Sequence, residues 1–332
     1  MKELQAIVSH LCLAKGPSVL ATLTSVEGSS YRRAGARMLV TEEGHRIGSI
    51  SGGCLEEDLI ERSKLVAGNG RAEVVTYDTT AENDLVWGVG LGCHGVVRLL
   101  VEPLAPRPRW AQVVSENLLS GVPTDLAVAW EAPGEALGTR LRADVPAEGS
   151  KPRKGVFLER IAPPTSLAIY GAGDDARPLA RLALELGWNV TVADPRPAMP
   201  TEERFPGAIA RATGPADTLV ARTAPQPGSL AVVMTHHYRH DVPLLRDLLP
   251  LPLAYLGLLG PKKRSERILL DLAEKGFEVT PSMRSRLHAP VGLDIGADAP
   301  EEVALSIIAE MKATLSGRDA HPLRERVLPI HA

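Results

Sequence analysis

Apolar positions recur at helical spacing over residues 4–13. The run ends at Lys15-Gly16-Pro17, a basic last turn followed by glycine and proline as stop signals. The period then tightens. Residues 18–26 are rich in β-formers, and residues 38–41 and 46–50 read as short strands around a Glu43-Gly44 turn. An amphipathic helix over residues 55–66 follows directly on Gly52-Gly53-Cys54. Residues 72–77 and 96–101 read as further strands, with a glycine-dense loop over residues 88–95 between them. The next stretch is looser, with a helix over 110–119 and a strand over 125–130. Residues 132–155 carry proline, glycine and scattered charge, as a linker or an elaborated edge does. Pro163-Pro164 marks a boundary. From Ser166 the pattern becomes short apolar runs, over 167–170, 189–193, 208–211, 230–234 and 254–258, mostly separated by helical patterns. This is the βαβ rhythm of a doubly wound parallel sheet. The predicted class is therefore α/β. A mixed α+β domain spans residues 1–104, an extension over 105–163 belongs with it, and a Rossmann-like doubly wound parallel-sheet domain spans 164–332.

Length supports this division, since 332 residues suit two domains at roughly 100–200 residues each. A formal net charge of −3 and an aromatic content of 4% argue against a base-stacking or basic nucleic-acid surface. The first ten residues mix charged and polar groups into their apolar positions, unlike a signal peptide. No run approaches the roughly 18 apolar residues of a membrane span. The expectation is a cytoplasmic protein with no nucleic-acid partner and no membrane span. The three cysteines, Cys12, Cys54 and Cys93, form neither a disulfide framework nor a C-x-x-C zinc pattern. Cys12 lies inside the first amphipathic helix, where a core role is expected.

Four segments carry candidate chemistry. Gly171-Ala-Gly173-Asp-Asp-Ala176 follows a strand and opens a helix, in the G-x-G-x-x-G/A form. Gly171 allows the tight turn and Gly173 lets backbone approach a phosphate. Asp194 ends the next strand, about 20 residues on, where a ribose-binding acid belongs. The segment reads as a dinucleotide site, with NAD(P) the implied ligand, or as a purely structural turn. Asp174 and Asp175 place negative charge beside the phosphate position. Second, Arg32, Arg33 and Arg37 stand with small and hydroxyl residues between two strands. They form an anion cradle or a solvated turn. Third, Ser51-Gly52-Gly53-Cys54 leads into a helix, whose free amides and dipole favour a thiolate at Cys54; the alternative is a packed thiol. Fourth, Gly92-Cys93-His94 is a glycine-flanked loop able to meet a soft metal or a sulfur donor, or a tight turn with a packed Cys. A His236-His237-x-x-His240 run follows an apolar strand but lacks the general-base Glu of the zinc-protease pattern.

Taken in order, GSSYRRAGARMLV, GSISGGCLEEDL, GLGCHG with Glu102-Pro103, IYGAGDDARPLA, VADPRP, YLGLLGPKKR and LHAPVGLDIGADAPEEVALSIIAE resemble the XdhC/CoxI family. These are accessory proteins of molybdenum hydroxylases such as xanthine dehydrogenase and carbon monoxide dehydrogenase. The resemblance covers nearly the whole chain, least clearly residues 105–163. It implies a chaperone more than a turnover enzyme. Such a protein binds molybdenum cofactor (molybdopterin), assists exchange of a terminal oxo ligand for sulfur, and inserts the cofactor into an apo-hydroxylase. A cysteine desulfurase is the implied sulfur source. The implied contacts are Arg32, Arg33, Arg37, Ser51, Gly52, Gly53, Cys54, Gly92, Cys93 and His94, with Cys54 and Cys93 as molybdenum or sulfur contacts. Gly52-Gly53-Cys54 is the form associated with the CoxI-like branch, and a homodimer is the default assembly. The alternatives are an NAD(P)-binding oxidoreductase, for which no Tyr-x-x-x-Lys pair appears, and a non-catalytic scaffold joining hydroxylase and desulfurase.

Overall fold

Strand Ser18–Gly28 begins with seven consecutive buried residues, which requires cover on both of its faces. In the computed structural model, which describes residues 1–28, 30–78, 95–131, 136–145 and 154–327, that cover comes from helices above and below one sheet. The chain divides into two units, Met1–Pro163 and Pro164–Ala332.

The first unit runs α1 (Lys2–Leu13), β1 (Ser18–Gly28), β2 (Arg37–Val40), β3 (Arg46–Gly48), α2 (Glu56–Asn69), β4 (Glu73–Asp78), β5 (Gly95–Leu104), α3 (Arg109–Ser120), β6 (Thr124–Ala129), β7 (Gly138–Leu141) and β8 (Val156–Ile161). The main sheet has the order β3-β2-β1-β5-β4 and is antiparallel throughout. Alternation along β1 sorts its side chains. Val19, Ala21 and Leu23 pack with Leu59 and Val66 of α2, whereas Leu20 packs with Ile7, Leu11, Trp110 and Val114 of α1 and α3. A small sheet, β7-β6-β8, joins the second cluster through Leu126, Leu141 and Ile161. The stretch that reads as a linker or edge thus contains β7, and β8 follows it. Both are short and carry polar residues, so their apolar signal is weak.

Register decides where the motif segments emerge. Gly28 pairs with Gly95, Asp78 with Val96, and Met38 with Gly48. The connections leaving β1, β3 and β4 therefore all depart from one end of the main sheet.

The second unit runs β9 (Ser166–Tyr170), α4 (Ala176–Glu185), β10 (Asn189–Asp194), β11 (Ala210–Thr213), α5 (Ala216–Thr223), β12 (Leu230–Val233), α6 (Tyr238–Leu248), β13 (Tyr255–Leu258), α7 (Lys262–Glu274), α8 (Pro281–Arg286), β14 (Leu287–His288) and α9 (Pro300–Leu315). Its sheet is parallel, in the order β11-β10-β9-β12-β13-β14. Counted within the unit this is 3-2-1-4-5-6, the Rossmann order, with the switch point between β9 and β12. Helices α4 and α9 cover one face, and α5, α6 and α7 the other. Among the described residues no helix is long and apolar enough to cross a membrane.

Leu59 is fully buried between α2 and the main sheet. Leu59→Ala is expected to destabilise the first unit by about 2–5 kcal/mol. Leu65→Ala, at a side chain 67% exposed on the same helix, is expected to change it by less than about 0.5 kcal/mol. Hydrogen exchange of β1 amides in increasing urea reads both.

Candidate functional site

Residue 56 organises the end of the main sheet. Glu56 is the first residue of α2, and its side chain turns back under the preceding loop, where it is only 2% exposed. One carboxylate oxygen accepts from the Ser49 hydroxyl at 2.7 Å, the Ile50 amide at 3.1 Å and the Ser51 amide at 2.8 Å. The other accepts from the Ser51 hydroxyl and from the Leu55 amide at 3.2 Å. The Ser51 oxygen in turn accepts from the amides of Gly53 (3.3 Å) and Leu55 (3.0 Å). Burial pushes the Glu56 carboxyl up, but the Ser51 hydroxyl and amide and the Ser49 hydroxyl outweigh it and hold it at about 2. The anion at this helix start is thus the chain's own carboxylate. Position along the sequence ties Glu56 only to the helix dipole. A Glu preceded by two serines within seven positions is the signal that could have found the cage.

The loop's outer surface is different. Gly52, Gly53 and Cys54 are exposed, and a Cβ added at either glycine would meet nothing within 4 Å. Gly53 has φ +120°, so a side chain there is strained even with room to spare. Cys54 lies just outside the Glu56 cage, one residue before the N-cap Leu55. Cys12 is half-buried and packs against the α1–α3 cluster. Gly92, Cys93 and His94 lie outside the described residues.

The three guanidiniums do not form one free cradle. Arg32 is bidentate to Glu3, at 2.6 and 3.2 Å. Arg37 is 4% exposed and donates to the Gly35 carbonyl at 3.0 Å and to Glu159 at 2.6 Å. Gly35 has φ +95°, and a Cβ there would approach the Glu159 carboxylate to 2.7 Å, so glycine at 35 leaves room for that pair. Arg33 is exposed, and among the described residues its side chain has no hydrogen bond or ion pair. The Glu3 hydrogen bond, with a smaller contribution from the negative charge of Glu56, favours the charged form of Arg32.

At the carboxyl end of the parallel sheet, Gly171 has φ +118°, and a Cβ there would lie 2.4 Å from the Met234 carbonyl oxygen. Glycine is therefore demanded by the close approach of the β9 and β12 connections. A Cβ at Gly173 would lie 2.5 Å from an Asp175 carboxylate oxygen. Ala176 is fully buried where α4 packs on the sheet. Asp194 is fully buried at the end of β10 and accepts from the Ala172 amide at 2.7 Å. The Arg196 amide, Nε and Nη2 donate to the same carboxylate at 2.8, 2.9 and 2.8 Å. His237 and His240 stack with ring centroids 4.5 Å apart. Among the described residues no group of three or more His, Cys, Asp or Glu side chains could hold a metal ion.

Comparison with known proteins gives matches in both units. Residues 11–78 match the XdhC and CoxI family, and residues 167–311 match the XdhC Rossmann domain. The chain is 35% identical to a probable xanthine dehydrogenase subunit of Bacillus subtilis (strain 168), covering 90% of this chain and 93% of that protein. It is 27% identical to the molybdenum cofactor insertion chaperone PaoD of Escherichia coli (strain K12), covering 93% and 86%. A crystal structure of a xanthine dehydrogenase from Bacillus halodurans superposes with a TM-score of 0.83 at 30% identity, covering 97% of this chain and 99% of that one.

The Glu56 cage makes a signed pH prediction. Its carboxyl titrates below the ordinary 4.5, so its stabilisation is complete above that value and is lost as pH falls toward about 2. Glu56→Gln is expected to cost about 2–3 kcal/mol at neutral pH. The gap to wild type should close on acidification, as read by urea unfolding at a series of pH values.

Proposed function

The chain belongs to the XdhC and CoxI family, and from that premise we propose that it is an accessory protein of molybdenum-hydroxylase maturation. In this reading it binds molybdenum cofactor and shields it during sulfuration by a cysteine desulfurase. It then inserts the cofactor into a hydroxylase of the xanthine dehydrogenase or carbon monoxide dehydrogenase type. The single observation that carries the reading is the Ser49–Cys54 loop. Its inner face is filled by Glu56, while its outer face presents an exposed thiol beside two glycines with open space above them.

The cofactor is cargo with two chemically distinct ends. Its phosphate needs a cation that is not already neutralised, and Arg33 supplies a guanidinium suited to bidentate contact. Arg32, on the connection from β1 into β2, and Arg37, at the start of β2, are already paired with Glu3 and Glu159. Its molybdenum–sulfur end suits a soft ligand, and Cys54 is the exposed thiol among the described residues. Gly52 and Gly53 keep the approach to that thiol clear. The chaperone name of the E. coli relative supports the same role.

The test is purification from cells making molybdopterin, under anaerobic handling, followed by oxidised-pterin fluorescence and molybdenum analysis. Arg33→Ala and Cys54→Ala are each expected to lower recovered pterin about tenfold, the effect of losing one charge-assisted or soft contact. Cys12→Ala, in the helix core, should leave recovery unchanged. Wild-type recovery and wild-type hydroxylase activation by both site variants would overturn the placement.

A further inference from the structure

The Rossmann unit contains the expected parts of a dinucleotide site, yet its own side chains stand in them. In such folds the second glycine lacks a side chain so that backbone can approach the pyrophosphate. Here the space over Gly173 holds the carboxylate of Asp175, 2.5 Å from where a Cβ would be. Asp175 is the N-cap residue of α4, so a fixed negative charge already sits at the helix start that would receive phosphate. It is held there from across the switch point. His236 Nε2 lies 2.6 Å from Asp175 Oδ2, and the Asp175 side chain is only 17% exposed. His236 follows β12 with φ +57°, a left-handed conformation uncommon for a residue with a side chain. The pair thus spans the crevice between the β9 and β12 connections, where a ligand of an open α/β sheet would lie.

The ribose position is filled in the same way. An ionised carboxylate offers about four lone-pair sites. Asp194 spends its acceptor capacity on the Ala172 amide, the Arg196 amide and two groups of the Arg196 guanidinium. Nothing remains for a ribose diol unless Arg196 leaves.

The geometry points to a Rossmann crevice closed to dinucleotides by its own side chains. Asp175, clasped by His236, takes the place of the pyrophosphate, and Arg196 takes the place of the ribose on Asp194. The glycine motif then serves packing: Gly171 admits the Met234 carbonyl and Ala176 seats α4. This closure goes beyond the role proposed for the first unit and does not depend on it.

The test is titration of the full chain with NADH and NADPH, followed by nucleotide fluorescence, with NAD+ and NADP+ in thermal-shift assays. Wild type is expected to show no saturable binding up to about 1 mM, the weak end of specific affinities. The variant Asp175→Ser with Arg196→Ala leaves a small polar side chain at the start of α4 and frees both positions. It is expected to bind at least about tenfold more tightly than wild type. Circular dichroism confirms folding, and the two single variants replace the double if it does not fold. Saturable micromolar binding by wild type would overturn the inference. So would folded variants that bind no better than wild type.

Discussion

A carboxylate taken out of water must be met by donors or it will not stay charged, and at Glu56 that requirement shapes the first unit's loop end. Three amides and two hydroxyls converge on one side chain, so the Ser49–Leu55 segment has to curl around it. Ile50 is pulled into the core by the same curl. The residues that face away, Gly52, Gly53 and Cys54, are exposed as a direct consequence. The loop is therefore preorganised from within, and its outer thiol is positioned without any bound partner.

Buried carboxylates recur as fasteners in both units. Glu102 of β5 accepts from the Thr139 amide at 2.9 Å and hydroxyl at 2.5 Å, tying β7 to the main sheet. Burial pushes its carboxyl up, against the pull of those two bonds. In the second unit, Asp241 accepts from the Thr235 hydroxyl at 2.5 Å and pairs with Arg264, joining the starts of α6 and α7. Asp194 does the same for the β9 and β10 connections through the Ala172 amide. Asp194, the acid that the glycine motif presents as a ribose-binding group, is thus committed to the chain's own donors.

The parallel sheet is readable in sequence because strands covered on both faces appear as unbroken apolar runs between helical patterns. Strand β14 has two residues, and β7 and β8 carry polar positions, so none of these announces itself locally. The motif positions are also readable, as is the negative charge of Asp174 and Asp175 in the glycine turn. Pairings across long separations are not. Arg32 finds Glu3 from 29 residues away and Arg37 finds Glu159 from 122 away. Spacing alone therefore groups three guanidiniums that the fold separates into two spent pairs and Arg33. Nor does spacing show that Glu56 turns back across its own helix start.

If cargo meets the outer face of the Glu56 loop at Cys54, that thiol must change its accessibility when the cargo is bound. The most direct measurement is alkylation of individual cysteines, followed by peptide mass spectrometry, in protein loaded with molybdenum cofactor and in protein free of it. Loading is predicted to protect the Cys54 peptide while leaving the Cys12 peptide unchanged. Equal alkylation of Cys54 in loaded and cofactor-free protein would contradict the account.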